Sequence, residues 1–370
     1  MKNSTLKIPS TEDELHKRFY ILNTCVTIIL LIAIFISISQ FGAQTWLGRP
    51  QIGFIISGDN EDIGWNRAQY QGISEACKEL DYDLLLEKNI SVNDNDKTVE
   101  KLVQKGAKII FFTNSCPIED IEKFSNEYPS IRFYVIESTF ALSSISKYSI
   151  DYINLRYISG VLAGLHTKTN KIGYIAPFPN APIIQGINAF TLGVQRVNPN
   201  AQVILTWTNS LDNPQSEEQA VKNLKAERVD IISYFQNGKT VPDSAESAEI
   251  DFIAFHESYP NHKHCLASIE TDWKTAYLDI LKLYKRQTYD SYLEDRGLAE
   301  IKFNKEKLTT RECVIMETTE YQLNNGRQVF KGEIYDRSGN LRCSDKEIIS
   351  NQYLQNQMDW LVKGVTTIGK

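Results

Sequence analysis

The chain has 370 residues, 42% of them hydrophobic, which is enough for two lobes with buried cores and excludes a disordered chain. Its formal net charge is -6, and its 40 Lys and Arg residues are scattered along the sequence rather than clustered. Proteins that bind nucleic acid carry a basic patch for the phosphates, so this charge pattern argues against nucleic acid as a partner.

The first predicted element is an apolar segment, Tyr20–Phe41, whose length matches the roughly 20 residues of a membrane-spanning helix. Lys17 and Arg18 precede it and the next charge is Arg49, so the charge bias predicts that the N-terminus lies in the cytoplasm and the remainder outside. A cleaved signal peptide has the same charged and apolar regions and is the alternative. We expect an uncleaved single-pass anchor in the cell membrane, with the main domain in the periplasm or at the cell exterior.

Strands and helices alternate from residue 51 onward. The first apolar strand, Gln51–Ser57, leads through a polar loop into a helix with Ala68, Ile73 and Ala76 on one face. Three further strands follow at YDLLLEKN, AKIIFFTNSCP and IRFYVIEST, with helices at DKTVEKLVQKG and IEDIEKFSNEYP. After a helix rich in small residues, LRYISGVLAGLHTK, a second series has strands at KIGYIAPFPN, AQVILTW, VDIISYFQNG and DFIAFHES. This alternation predicts parallel sheets with helices on both faces.

The two series predict two doubly wound α/β lobes that divide near residues 162–170. The stretch HCLASIETDWKTAYLDILKLY is one more strand and helix, which we expect to return to the first lobe. FKGEIYDRSGNLRCSD predicts a hairpin that turns at Ser338-Gly339-Asn340, and a final helix contains YLQNQMDWLVKGV. The expected boundaries are 1–19 for a cytoplasmic segment, 20–42 for the transmembrane helix or signal anchor and 50–365 for the binding domain. Within the binding domain, we expect lobe 1 at about 50–162 and 264–312 and lobe 2 at about 170–262. The C-terminal hairpin and helix are expected at 329–365.

Candidate ligand-binding residues follow the predicted strands, because ligands of open parallel sheets bind beyond the carboxyl ends of the strands. The side chains there are amides, hydroxyls, aromatics and a few carboxylates. Aromatic rings can stack on a planar ligand, while amides and carboxylates bind its edge and any sugar hydroxyls. The alternative role for each polar residue is a turn or a helix cap. The candidates are Asp59, Trp65, Asn66, Asn114, Ser115, Phe178, Asn209, Gln236, Asn237, Glu257 and Asp272.

Catalytic and metal-binding motifs are missing from the sequence. It has no GxSxG, no P-loop, no GxGxxG after a strand and no HExxH. His262 and His264 form an HxH pair without a further ligand close in sequence, and Asp59, Glu61 and Asp62 lack the alternating spacing of a calcium loop. The six cysteines contain no CxxC, which argues against a zinc site or a dense disulfide framework. We expect no enzymatic activity, no cofactor and no metal.

Several stretches carry a family resemblance. They are YISGVLAGLHTKTNKIGYIAPFP, QGINAFTLGVQRVNP, WTNS, the GWN after the first strand, FKGEIYDRSGNLR and MDWLVKGV. With these motifs the chain resembles the basic membrane protein family of bacterial ABC-transporter substrate-binding proteins, in the group similar to purine nucleoside receptors. The similarity covers roughly residues 50–365.

The resemblance implies a type I periplasmic-binding fold, in which two hinged lobes close on a purine nucleoside or related nucleobase compound without catalysis. Family members stack the base on aromatic rings, and Trp65 and Phe178 occupy the matching places. Asn114 and Ser115 match a polar pair after the third strand. The implied partners are the small-molecule ligand and an ABC permease.

The sequence departs from the family pattern in two regions. Asn237 stands where many relatives have an acidic residue, within a stretch that here reads YFQNGKTVP, and the region before Asp272 lacks the usual aromatic or acidic pattern. The chain also lacks the lipobox cysteine of lipoprotein relatives, for which the apolar N-terminal segment would substitute as the tether. The alternative function is a membrane-tethered sensor of the same fold that acts through a signalling partner. The N-terminal segment of about nineteen residues is too short for a signalling domain, which favours transport.

Overall fold

The computed structural model describes residues 11–37, 49–61, 64–113, 116–136, 145–148, 150–286, 292–293 and 297–369. The chain divides into two compact units, residues 1–50 and residues 51–370. The first unit contains helix α1, Thr11–Ser37. In the part of the chain that the model describes, no helix meets the length and apolarity that a membrane crossing requires. The apolar segment predicted from the sequence extends to Phe41, past the last described residue of α1.

The second unit alternates strands and helices. Its helices are α2 Trp65–Leu80, α3 Asn95–Gln104, α4 Ile118–Glu127, α5 Ile153–His166, α6 Ala181–Val197, α7 Pro214–Ala226, α8 Thr240–Ser247, α9 Trp273–Lys285, α10 Thr310–Asn324 and α11 Asn351–Asn356. Its strands are β1 Gln51–Ile55, β2 Asp83–Glu87, β3 Ala107–Phe112, β4 Arg132–Ile136, β5 Ile145–Tyr148, β6 Lys171–Ala176, β7 Gln202–Trp207, β8 Ile231–Tyr234, β9 Asp251–His256, β10 Cys265–Thr271, β11 Tyr292–Leu293, β12 Ala299–Phe303, β13 Ile334–Tyr335, β14 Leu341–Cys343 and β15 Val365–Ile368.

Two sheets form the centres of two lobes. The sheet of lobe 1 has the order β11-β5-β4-β3-β1-β2, and its strand pairs are parallel. The sheet of lobe 2 has the order β12-β10-β9-β8-β6-β7-β15 and is parallel except for the antiparallel pair of β10 and β12. The prediction of two doubly wound α/β lobes is therefore confirmed.

The strands of lobe 1 are apolar on both faces because helices cover both faces of the sheet. Neighbouring residues of one strand point to opposite faces, so Phe111 packs with Tyr277 of α9 on one side, while Phe112 packs with Phe124 of α4 on the other. This is why β3 reads as the continuous apolar run that the sequence shows.

The small residues of α5 are explained by its close packing against α6 in lobe 2. A Cβ on Gly160 would lie 1.9 Å from the carbonyl oxygen of Phe190, and a Cβ on Gly193 would lie 2.1 Å from that of Tyr157. Only glycine allows the two helix backbones to approach so closely. Helix α6 itself begins at Asn180, whose side chain accepts a hydrogen bond from the backbone N–H of Ile183 at 3.0 Å.

Three sequence predictions are corrected by the sheet order and the helix bounds. Strand β10 does not return to lobe 1: it pairs with β9 in lobe 2, and only the following helix α9 crosses back, where Trp273 joins the core of lobe 1. Helix α5, predicted to end lobe 1, belongs to the core of lobe 2. The final helix ends at Asn356, and the chain then forms β15 beside β7. Hydrophobic periodicity reports the type of an element but not the sheet that it joins.

Three crossovers join the lobes, between β5 and α5, between β10 and α9, and between β11 and β12. The hydroxyls of Tyr152 and Thr271 lie 2.9 Å apart and link the first two crossovers. The backbone N–H of Asp272 donates to the carbonyl of Leu298 at 2.8 Å and links the second to the third. The crossovers therefore form one hydrogen-bonded hinge.

A cluster of charged groups fastens α10 to lobe 2. His166, at the end of α5, contacts Glu312 through Nδ1 at 2.9 Å and Asp251 through Nε2 at 3.4 Å. The hydrogen bond with Asp251 raises the pKa of His166, and Glu312 raises it further. Burial alone would raise the pKa of Asp251, but hydrogen bonds from His166 and His264 and the charge of Lys307 lower it to about 2.

This cluster predicts a pH dependence of stability. Because the folded-state pKa of His166 is raised, its stabilisation is complete below the ordinary value of 6.5 and is lost as pH rises through the raised value. We expect His166→Gln to reduce the free energy of unfolding more at about pH 5.5 than at about pH 9, as measured by urea denaturation. Equal losses at the two pH values would contradict this role for the imidazolium.

Candidate ligand-binding cleft

The two lobes meet at the carboxyl ends of their strands. The backbone N–H of Trp65, the first residue of α2 in lobe 1, donates to the carbonyl of Asn237 after β8 in lobe 2, at 3.3 Å. Arg67 Nε lies 3.8 Å from Glu257 Oε1, and the rings of Trp65 and His256 have centroids 4.9 Å apart. These contacts define a cleft between the lobes, which the structure shows in a closed arrangement.

Trp65 is held by groups from both lobes and remains partly exposed. Its indole meets the ring of Trp273 edge to face at 5.4 Å, on the lobe 1 side, and that of His256 on the lobe 2 side. Its Nε1–H donates to the carbonyl of Thr113, at the end of β3, at 3.3 Å. The indole is thus oriented before any ligand binds, which reduces the entropy that binding would cost.

Gly64 provides the closest approach between the lobes. Its φ of 117° is accessible to glycine and rare for other residues. A Cβ at this position would lie 1.6 Å from the carbonyl oxygen of Asn237. The Gly64 N–H also donates to the carboxylate of Glu257, whose pKa is nevertheless raised by burial. The absence of a side chain here allows α2 to contact lobe 2.

Four predicted site residues are therefore gathered at the cleft: Trp65, Asn66, Asn237 and Glu257. Asn66 is 4% exposed, and its Oδ1 has no hydrogen-bond partner among the described residues. Buried side-chain oxygens are nearly always hydrogen-bonded in folded proteins. The start of α2 thus holds a buried amide oxygen without a partner among the described residues.

Other predicted residues have structural partners within the protein. Asp59 forms an ion pair with Lys88 at 2.9 Å. Asp272 caps α9 by accepting from the backbone N–H of Thr275 at 3.0 Å. Gln236 is fully buried, and its side chain forms hydrogen bonds with the loop after β7. Its amide oxygen accepts from Thr208 Oγ1 at 2.7 Å, with the amide oriented to match the surrounding donors and acceptors. Each arrangement satisfies the side chain without a ligand.

The remaining predicted residues lie on loops or outside the described residues. Phe178, in the loop after β6, is 38% exposed. Asn209 is exposed and has a φ of 57°, typical of Asn in a turn. Asn114 and Ser115 lie outside the described residues. The expected stacking of a ring between Trp65 and Phe178 therefore stays a prediction.

The structure adds three residues that the sequence analysis did not place in the site: Gly64, Arg67 and His256. Gly64 directly precedes Trp65 at a predicted helix start. A glycine in this position can indicate that another backbone approaches closely, because it has no side chain. His256 is the last residue of the apolar strand β9, directly before the candidate Glu257. Nothing in the sequence distinguishes Arg67 from a solvated surface residue.

Comparisons with known proteins agree with this architecture. The family model described as ABC transporter substrate-binding protein PnrA-like matches residues 49–318. A purine-binding protein of Brucella abortus is 28% identical over 248 residues, covering 65% of this chain and 70% of that protein. A putative ABC transporter glucose-binding protein of Haloferax volcanii is 25% identical over 190 residues, covering 51% and 49%. A solute-binding protein structure from Aeropyrum pernix aligns with a TM-score of 0.66 at 13% identity, covering 75% of this chain and 92% of that one.

Two largely parallel sheets joined by crossovers, with a cleft at the strand ends, define a two-lobed protein with the periplasmic-binding fold, as the sequence analysis predicted. More specifically, the chain belongs to the Bmp family of PnrA-like ABC transporter substrate-binding proteins, because the family model matches well over half of its length. The match to the Haloferax volcanii relative spans about half of that protein.

The Gly64 contact generates a test of lobe closure. In Gly64→Ala the added methyl group would overlap the Asn237 carbonyl, so the lobes should not reach the arrangement seen here. Small-angle scattering of the unit from residue 51 onward should then give a larger radius of gyration than the unchanged protein. Gly326→Ala is the matched control, because Gly326 also has a positive φ, of 92°, but no atom within 4 Å of the added Cβ. Identical scattering from all three proteins would refute this role for Gly64.

Proposed function

We propose that this protein is the extracytoplasmic solute-binding component of an ABC importer and that it binds a purine nucleoside or related nucleobase compound between its lobes. The observation that carries the proposal is the position of Trp65, a pre-oriented and partly exposed indole at the contact of the two lobes. Family membership supports solute binding, and the similarity to the purine-binding protein of Brucella abortus supports the ligand class.

The polar groups around Trp65 suit such a ligand. The indole face can stack on a heteroaromatic base, and Asn66, the next residue of α2, has an acceptor oxygen without a partner among the described residues. On the other side of the cleft, the Glu257 carboxylate is partly buried and can accept hydrogen bonds from sugar hydroxyls or amino groups. A neutral, donor-bearing ring compound would satisfy both sets of groups.

Transport requires that ligand binding favour the closed state. A ligand shifts such an equilibrium only by the difference in its affinity for the two states. A molecule that touches Trp65 on lobe 1 and Glu257 on lobe 2 makes both contacts only when the lobes are closed. Binding would therefore stabilise the closed form. A permease would recognise this form and receive the ligand from it.

Binding is tested with purines, pyrimidines and their nucleosides, first by thermal shift and then by calorimetry on the full-length protein in detergent. We expect stabilisation by at least one purine nucleoside, because a ligand that binds only the folded state raises its stability. Trp65→Ala and Phe178→Ala should each weaken binding by ~1 to 3 kcal/mol, the range for loss of an aromatic partner of a base.

The control for these variants is Tyr321→Ala, which removes an exposed aromatic side chain from α10. Its affinity should equal that of the unchanged protein. Unchanged affinity in both Trp65→Ala and Phe178→Ala would show that the nucleobase does not stack at this cleft. A response to sugars but to no base or nucleoside would reject the ligand class and retain solute binding.

The proposal includes a membrane tether formed by the apolar segment Tyr20–Phe41. We expect the full-length protein to remain in the membrane fraction after extraction with alkaline carbonate, because the apolar segment is held by hydrocarbon rather than by charge. A variant that begins at residue 49 behind a cleavable export signal should be released to the soluble extracytoplasmic fraction. Recovery of the full-length protein in that soluble fraction would argue for a cleaved signal peptide instead.

A further inference from the structure

His256 combines three unusual features at the contact between the lobes. The residue is 6% exposed, and neither Nδ1 nor Nε2 has a hydrogen-bond partner among the described residues. Its φ is 76°, a backbone conformation that residues other than glycine adopt rarely and at a cost in free energy. Buried polar groups without partners and strained backbones concentrate at functional sites, because the strain and the lost hydrogen bonds must be offset by a role.

The imidazole lies between aromatic side chains of lobe 2 and Trp65 of lobe 1. The ring of His256 packs on that of Phe255, with centroids 3.7 Å apart, and its other neighbours are Phe235 at 6.3 Å and Trp65 of lobe 1 at 4.9 Å. Trp65 is the indole proposed to stack on the ligand. A ring that stacks on Trp65 would lie close to the ring of His256, whose centroid is 4.9 Å from that of the indole.

The charges around His256 oppose its protonation. Burial lowers its pKa well below the ordinary value, and the guanidinium of Arg156 lowers it further. Arg156 is 1% exposed, lies 3.8 Å from the centre of the Phe255 ring and donates to the carbonyl of Tyr234 at 3.0 Å. The imidazole therefore presents one N–H donor and one nitrogen acceptor at neutral pH.

Carboxylates near His256 are engaged with cations of their own. Glu257, the next residue, lies 3.8 Å from Arg67 of α2. Glu270, at the paired position in β10, forms an ion pair with Lys302 of β12 at 2.7 Å. These pairs leave the effect of Arg156 on the imidazole uncompensated, and Arg156 is the charged group that lowers its affinity for a proton.

We propose that His256 determines ligand specificity from the wall of lobe 2, by a hydrogen bond between its neutral imidazole and the edge of the heteroaromatic ring that stacks on Trp65. The inference rests on the proposed function and deepens it. The ligand class that it assigns is a neutral base with a hydrogen-bonding group on the edge facing lobe 2.

The test uses three probes that share one sugar and differ only at C6 of the purine: adenosine with an amino group, inosine with an oxo group and purine riboside with hydrogen. Calorimetry on the full-length protein in detergent should show unequal affinities. His256→Phe keeps an aromatic ring in place and removes both nitrogens. We expect it to weaken the best probe about two- to ten-fold, the value of one neutral hydrogen bond, and to bring the three affinities together.

Rescue variants identify the nitrogen that binds. His256→Gln places an amide near the position of Nε2 and His256→Asn places one near Nδ1, so one of them should restore the order of affinities seen in the unchanged protein. The affinity of the unchanged protein should not follow a histidine titration near pH 6.5, because burial and Arg156 lower the pKa of His256 well below that value. A change in ligand affinity around pH 6, as expected for a titrating histidine, would contradict the neutral state of the His256 imidazole.

Thermal melting of each variant, without ligand, separates loss of folding from loss of binding. If Trp65→Ala weakens every probe while His256→Phe keeps the affinities and their order, this inference is overturned and the proposed function stands. If no probe binds the unchanged protein, the proposed function itself fails. Convergence of the three affinities in His256→Phe, together with rescue by Gln or Asn, supports the assignment.

Discussion

The backbone of Gly64 lies against the carbonyl oxygen of Asn237, and the site depends on this contact. Because no side chain separates the two loops, the start of α2 reaches lobe 2 and brings Trp65 against His256. The N–H groups at this helix start then donate to groups of lobe 2 rather than to water. A residue with a Cβ at position 64 would hold the lobes apart, and the indole of Trp65 would then lose its contact with lobe 2.

The hinge explains how such a contact can form and break. Its three crossovers are joined to each other by Tyr152 with Thr271 and by Asp272 with Leu298, so they can move as one unit. Asp272 also caps α9, which fixes the direction in which the chain enters lobe 1. Each lobe has its own core, so closure requires rotation about the hinge and no repacking of either core.

The sequence predicted the fold well, whereas the site residues stay a prediction. A continuous apolar run such as β3 indicates a buried strand, and Gly339 indicates a turn, without an alternative. A polar residue at a strand end can take more than one role. The carboxylate of Asp272 caps a helix, while the carboxylate of Glu257 faces the other lobe. Which role a residue takes depends on the partner that the fold brings to it. The positive φ of His256 is likewise not indicated by the sequence.

Closure and specificity are carried by different atoms in this cleft. The contact of Gly64 with Asn237 uses backbone groups, so it is independent of the ligand. The groups that would touch a ligand are side chains, so exchanging them leaves this backbone contact in place, while Trp65, Glu257 and His256 form further contacts between the lobes. Asn66 on one lobe and His256 on the other are buried side chains with polar atoms that lack a partner among the described residues, and we propose that they contribute to ligand specificity.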